Sequence, residues 1–207
     1  MPEPDLIDLV APSRCALLLQ EVQEGVIGIP NPLGLYEVAQ EVGLVPRIAH
    51  LARAARKAGV RVAHCTAEQM PNRFGANRNA RLFAAASRGG ALISKDRTNP
   101  AKAVFEQGDL VIPRYHGLSP LTGSPLDSML RNEQITTLVV TGVSLNVAIP
   151  NLVFDAVNRA YQVVVVTDAV VGIPVDYGTQ VVEYTLRAVA TLTTSEALAA
   201  VWTNLAT

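Results

Sequence analysis

Along the chain, unbroken apolar runs alternate with stretches in which apolar residues recur every three or four positions. Unbroken runs mark strands buried on both faces, and the longer spacing marks helices with one buried stripe. The runs predict strands at Cys15–Gln20 (CALLLQ), Val60–Thr66 (VRVAHCT), Leu110–Pro113, Thr137–Thr141 and Gln162–Thr167 (QVVVVT), with a short sixth at 190–194 (ATLTT). Helical spacing runs over Val38–Ala58 and stops at Gly59, resumes from about Ser124, and again from about Pro150 to Ala160. It returns in DYGTQVVEYTLRAV and in a closing SEALAAVWTNLA that Ser195 is placed to cap. Strand and helix in alternation, with strands apolar throughout, predict an α/β three-layer sandwich: a parallel sheet with helices on both faces. Residues 1–14 read as a lead-in. The polar, Arg-rich stretch from Glu68 to Arg88 is too long for an ordinary connection, and it forms either a pocket lid or a subunit contact.

A parallel sheet gathers the carboxyl ends of its strands at one edge, where open α/β folds bind ligands. The organising stretch is Thr136–Ala156, TTLVVTGVSLNVAIPNLVFDA, which reads as strand, tight turn and helix, with the first helical amides facing that edge. Residues just past the other strand ends join it: Glu21, Cys65 to Glu68, Arg114 to His116, and Asp168. A carboxylate abutting an apolar strand is partly desolvated, which moves Glu21 toward a useful acid–base range; the plain alternative is a strand-end carboxylate paired with an arginine. Arg114 stays protonated, so it either holds Glu21, binds a substrate carboxylate, or is a solvated loop cation. Ser144 sits in the turn, but spacing assigns neither His116 nor His64 to it as a base. Cys65 lies among core residues of the second strand and reads as packing or as a thiol at the rim.

Composition narrows the classes. Seventeen basic against eighteen acidic residues, with neither sign blocked into a tail, give no electrostatic support for nucleic-acid binding. No apolar run approaches a membrane span, and the N-terminus carries no signal-peptide pattern. Cys15 and Cys65, both inside apolar runs, read as reduced buried thiols of a cytoplasmic protein. Three scattered histidines without metal-ligand spacing, and glycines that form neither GxGxxG nor a P-loop, predict no metal and no cofactor.

Three blocks carry a family resemblance. ALLLQEVQ resembles the opening strand of the isochorismatase-like cysteine hydrolases, of the form ALLxIDMQ. VIPRYHGLSPLTGSPLDSML fits their VxxKxxxSAFxxTxLxxxL, and TGVSLNVAIPNLVFDAVNRAYQVVVVTDAV is similar to TGVxTxxCVxxTxxDAxxxGYxVxVxxDA. The resemblance implies one domain over residues 1–207 with a six-stranded parallel sheet, homo-oligomers (dimer or tetramer), and hydrolysis of small amides or of the vinyl ether of isochorismate. Aligned by motif, the family's aspartate position holds Glu21, its lysine position Arg114 and its cysteine position Ala148. An alanine methyl forms no covalent intermediate. Members commonly have a cis peptide after the valine matching Val143, which aims backbone amides at a substrate carbonyl; here Val143, Ser144 and Ala148, with His116 beside them, make the substrate-binding set. Two readings follow: a thiol-free hydrolase using Glu21 as acid, or a non-catalytic small-molecule binder or assembly partner. A third, with Cys65 as substitute nucleophile, requires a reactive thiol.

Overall fold

Six strands form one all-parallel sheet in the order β3-β2-β1-β4-β5-β6. They are β1 (Cys15–Gln20), β2 (Arg61–Ala67), β3 (Leu110–Arg114), β4 (Thr137–Val143), β5 (Gln162–Val171) and β6 (Thr191–Thr193). The computed structural model describes residues 5–30, 33–84 and 95–206. The chain builds outward from β1 through β2 to β3, then returns to lay β4 against the other side of β1. That reversal makes the carboxyl ends of β1 and β4 the switch point, the place at which such sheets bind ligands.

Alternation along β1 divides the core into two layers. Cys15, Leu17 and Leu19 face one layer with Leu44, Ile48, Leu51 and Trp202, while Ala16 and Leu18 face another with Leu126, Ile149 and Leu152. The first layer is covered by the helices Leu35–Glu41, Leu44–Lys57 and Ser195–Leu205, the second by Leu126–Asn132 and Ala148–Asn158. The predicted sandwich is therefore observed.

Element boundaries differ from expectation where local chemistry intervenes. The helix expected over Val38–Ala58 is two, broken at Gly43, whose φ of 64° suits glycine and ends a helical run. The helix led by Pro150 begins earlier, at Ala148, and the closing helix takes its cap from Thr194, whose side chain accepts from the Ala197 N–H. β5 runs past Thr167 to Val171. Asp168 is tolerated inside it because its carboxylate accepts from the Ser195 N–H at 2.7 Å and the Ser195 hydroxyl at 2.6 Å, tying β5 to the last helix. Of the Glu68–Arg88 excursion, residues 85–88 lie outside the described residues.

Two residues hold the edge of the sheet in register. Gly142 has φ 104°, and a Cβ there would stand 2.1 Å from the carbonyl oxygen of Gln20, so only glycine lets β4 approach β1 this closely. Gln23, fully buried, accepts from the Ala67 N–H at 2.7 Å and donates to the carbonyls of Ala67 and Thr98 at 3.1 and 2.9 Å. It replaces a β-ladder where β1 has ended. Gln23→Leu leaves the Ala67 amide buried without an acceptor and should cost about 2–3 kcal/mol in urea unfolding; a change within experimental error would show that water replaces it.

Candidate active site

The carboxyl edge begins with Glu21, whose φ of 53° turns the chain sharply off β1 while its N–H remains bonded to the Cys65 carbonyl at 2.9 Å. Arg114 ends β3, two strands away, so its side chain crosses β2 to reach Glu21, a span of about 10 Å at ordinary strand spacing. Arg114 Nη2 donates to Glu21 Oε1 at 2.5 Å, and Nη1 donates to the Gly117 carbonyl. One guanidinium fork thus serves both acceptors, which the single ammonium of a lysine would do less well. Arg114 is 7% and Glu21 19% exposed at the side chain, which excludes the solvated-cation reading of Arg114. Burial raises the Glu21 pKa above its usual value, against the opposing pull of Arg114 and of a 3.1 Å hydrogen bond from Gln20 Nε2.

The other wall is the turn after β4. The Val143–Ser144 peptide is cis, as the family resemblance implies. The Leu145 N–H donates to the Val171 carbonyl, and the Val147 and Ile149 N–H groups converge on the Ser144 carbonyl. Among the described residues, no acceptor takes the Ser144 or Ala148 N–H. Ala148 is buried in the first turn of its helix, where backbone donors have no intrahelical partner and the helix dipole is positive. Asn146 fixes the turn from behind: its amide donates to the Ile173 carbonyl at 2.5 Å and accepts from the Ile173 N–H at 2.8 Å. No base stands on Ser144 among the described residues, because His64 is bonded elsewhere and His116 rests its ring against Gly123.

A small pocket open to solvent adjoins Arg114. It is walled by Ala67 to Gln69, by Arg114 to Gly117, and by Ala76, Asn77 and Phe83 of the excursion. Asn77 Oδ1 accepts from the Gly117 N–H at 2.6 Å, so this part of the excursion is fastened over the β3 end as a pocket wall. His116 and Arg114 line the pocket; Glu21, Ser144 and Ala148 do not. Asp168, grouped with these residues on strand order, is occupied with the last helix instead.

Cys65 is buried level with Gln20, and burial pushes its thiol up to about 12. A thiol so placed is neutral near pH 7, which removes the reading of Cys65 as substitute nucleophile.

One buried cluster has no counterpart in the sequence reading. His64 Nε2 lies 2.9 Å from Asp109 Oδ2, and Arg56 donates to Asp109 through Nε and Nη2 at 2.9 and 2.7 Å while reaching Glu106 at 2.8 Å. His64 stands edge-on to Phe105, and its Nδ1 is buried without a partner. Burial lowers the His64 pKa, though Asp109 pulls it back. Below about pH 6.5 the unfolded chain takes up a proton that native His64 resists, so stability should fall from there toward pH 5. Urea midpoints that decline over this window in the native chain and stay flatter in His64→Gln would show it; parallel curves would rule it out.

Residues 15–197 match the isochorismatase domain family. Ureidoacrylate amidohydrolase RutB of Methylorubrum extorquens strain AM1 is 32% identical over 157 residues, covering 65% of this chain and 59% of that protein. Its counterpart in Methylobacterium radiotolerans is 30% identical over 194 residues, covering 81% and 70%. The chain thus spans about three fifths of the length of the Methylorubrum relative. Among solved structures, a cysteine hydrolase from Pseudomonas syringae pv. phaseolicola superposes with a TM-score of 0.83 at 21% identity, covering 99% of this chain and 100% of that one. N-carbamoylsarcosine amidase from Thermoplasma acidophilum follows at 0.69 and 20%, covering 88% and 97%. The structural likeness carries the fold, and the match over most of the sequence carries the kinship: this chain belongs to the isochorismatase family.

Proposed function

We propose that this chain is a hydrolase of small molecules that works without a cysteine nucleophile, with Glu21 as its acid. The observation that carries this reading is Glu21 itself: a largely buried carboxyl at the switch point, raised by burial even with Arg114 on it. Ala148, aligned by motif with the family's cysteine, offers an N–H in place of a thiol. In this scheme Glu21 gives its proton to the carbon of an enol ether, the resulting oxocarbenium ion takes water, and collapse of the adduct releases the alcohol and returns the proton to Glu21. The amides of Ser144 and Ala148 orient the substrate's oxygen, Val143 anchors the turn from the core beneath it, and His116 with Arg114 borders the neighbouring pocket. The same reading makes the protein a cytoplasmic dimer or tetramer, supported by two buried free thiols and by the family.

A second reading, a binder or assembly partner without turnover, is favoured by one observation. Arg114 is held by the Glu21 carboxylate and the Gly117 carbonyl, so its charge is already paired before any substrate carboxylate arrives. The two separate on a panel of enol ethers and ureido acids, the latter chosen because of the ureidoacrylate amidohydrolases among the relatives. Turnover that survives Cys65→Ser supports the hydrolase; calorimetric binding with no product across the panel supports the binder. Combining Ala148→Cys with Glu21→Asp and Arg114→Lys should bring measurable amidase activity, and none at all would mean that the amide-hydrolysing geometry is gone.

A further inference from the structure

Two donors converge on the same oxygen of Glu21. Oε1 accepts from Arg114 Nη2 at 2.5 Å and from Gln20 Nε2 at 3.1 Å, and among the described residues nothing bonds Oε2. Gln20 is fully buried as the last residue of β1, level with Cys65 on one side and Gly142 on the other. Gln20 is the one amide on a strand otherwise built of apolar side chains. The amide is costly there, because its Oε1 is buried with no partner. An aliphatic residue would avoid that penalty but could not donate to Glu21.

We propose that Gln20 is a positioning residue: together with Arg114 it pins Oε1 of Glu21, so that Oε2 is the oxygen that carries and transfers the proton. The inference rests on the reading of Glu21 as an acid. An oxygen already accepting two N–H bonds has its lone pairs engaged, and a proton arriving on the carboxyl goes to the other oxygen. Oε2–H is then the donor toward substrate, while Oε1 keeps its two partners through the cycle and the carboxyl does not rotate.

The test is a pH titration by NMR of the full chain with carboxyl-labelled glutamate, the Glu21 signal being assigned by its loss in Glu21→Gln. Removing a donor to the charged form raises a carboxyl pKa, so Gln20→Met should move the Glu21 midpoint upward. In the unmodified protein, the Gln20 side-chain NH₂ resonances should shift with that same midpoint. An unchanged midpoint in a Gln20→Met variant that melts as cooperatively as the parent overturns the proposal. Flat Gln20 resonances across the Glu21 transition overturn it too, and they decide the matter if the variant fails to fold. Neither readout needs turnover. Turnover without the coupled titration therefore sinks this inference alone, whereas coupling with no turnover on any substrate sinks the acid reading and the catalytic assignment of Oε2 with it.

Discussion

Glu21→Gln is expected to lower kcat/KM by about 10²- to 10⁴-fold on whichever small substrate the protein turns over, the range that a positioned general acid supplies. The substitution keeps the side chain's length and its acceptor oxygen toward Arg114, so the shape of the site is preserved while the transferable proton is lost. It does leave the buried Arg114 with a weaker partner, and a thermal melt must accompany the kinetics. The informative result is a variant that folds, binds substrate with little change and no longer hydrolyses it. Residual activity within a few-fold of the parent would remove Glu21 from the chemistry and leave it as the structural partner of Arg114.

Arg114→Met should lower stability by about 3 kcal/mol, near the low end for breaking a buried pair because Glu21 retains some exposure. It removes the donor to Glu21 and the donor to the Gly117 carbonyl together. The carboxylate left behind would rise further in pKa, so native Glu21 would take up a proton before the unfolded chain does. The deficit should therefore shrink as pH falls from 7 toward 5, a sign opposite to that expected from His64. Chemical denaturation at those two pH values measures it. A deficit that stays constant would mean that the loss comes from packing and from Gly117, with Glu21 already screened by water.

The strands are legible because each is an unbroken apolar run, and parallel strands ending at one edge make the meeting of Glu21 with Arg114 one of the alternatives the sequence offers. The break at Gly43 was hidden because Val42 and Val45 carry the helical spacing straight across it. Asp168 misled for a physical reason: a charge ordinarily ends a buried run, but here Ser195 satisfies it from a distant helix. The His64–Asp109–Arg56 cluster joins three segments whose proximity no local pattern encodes. Gln20 looks in the sequence like one more strand residue, since only its folded surroundings reveal that it reaches Glu21. Apart from the Glu21–Arg114 pair, the members of the candidate site are visible singly in the sequence and their partners are not.

The contact at Gly142 bears on how such a site can change. With the Gln20 carbonyl standing where a Cβ would be, β1 and β4 are clamped together at the point where both lead into the site. The separation between the Glu21 backbone and the amides after Val143 is thus a property of the sheet, independent of which side chains project from it. The side chains at 21, 114 and 148 project from a mount whose spacing the sheet sets. A change of side chain there alters what the site can bind or donate, while the distance between the two backbone walls stays as the Gly142 contact sets it.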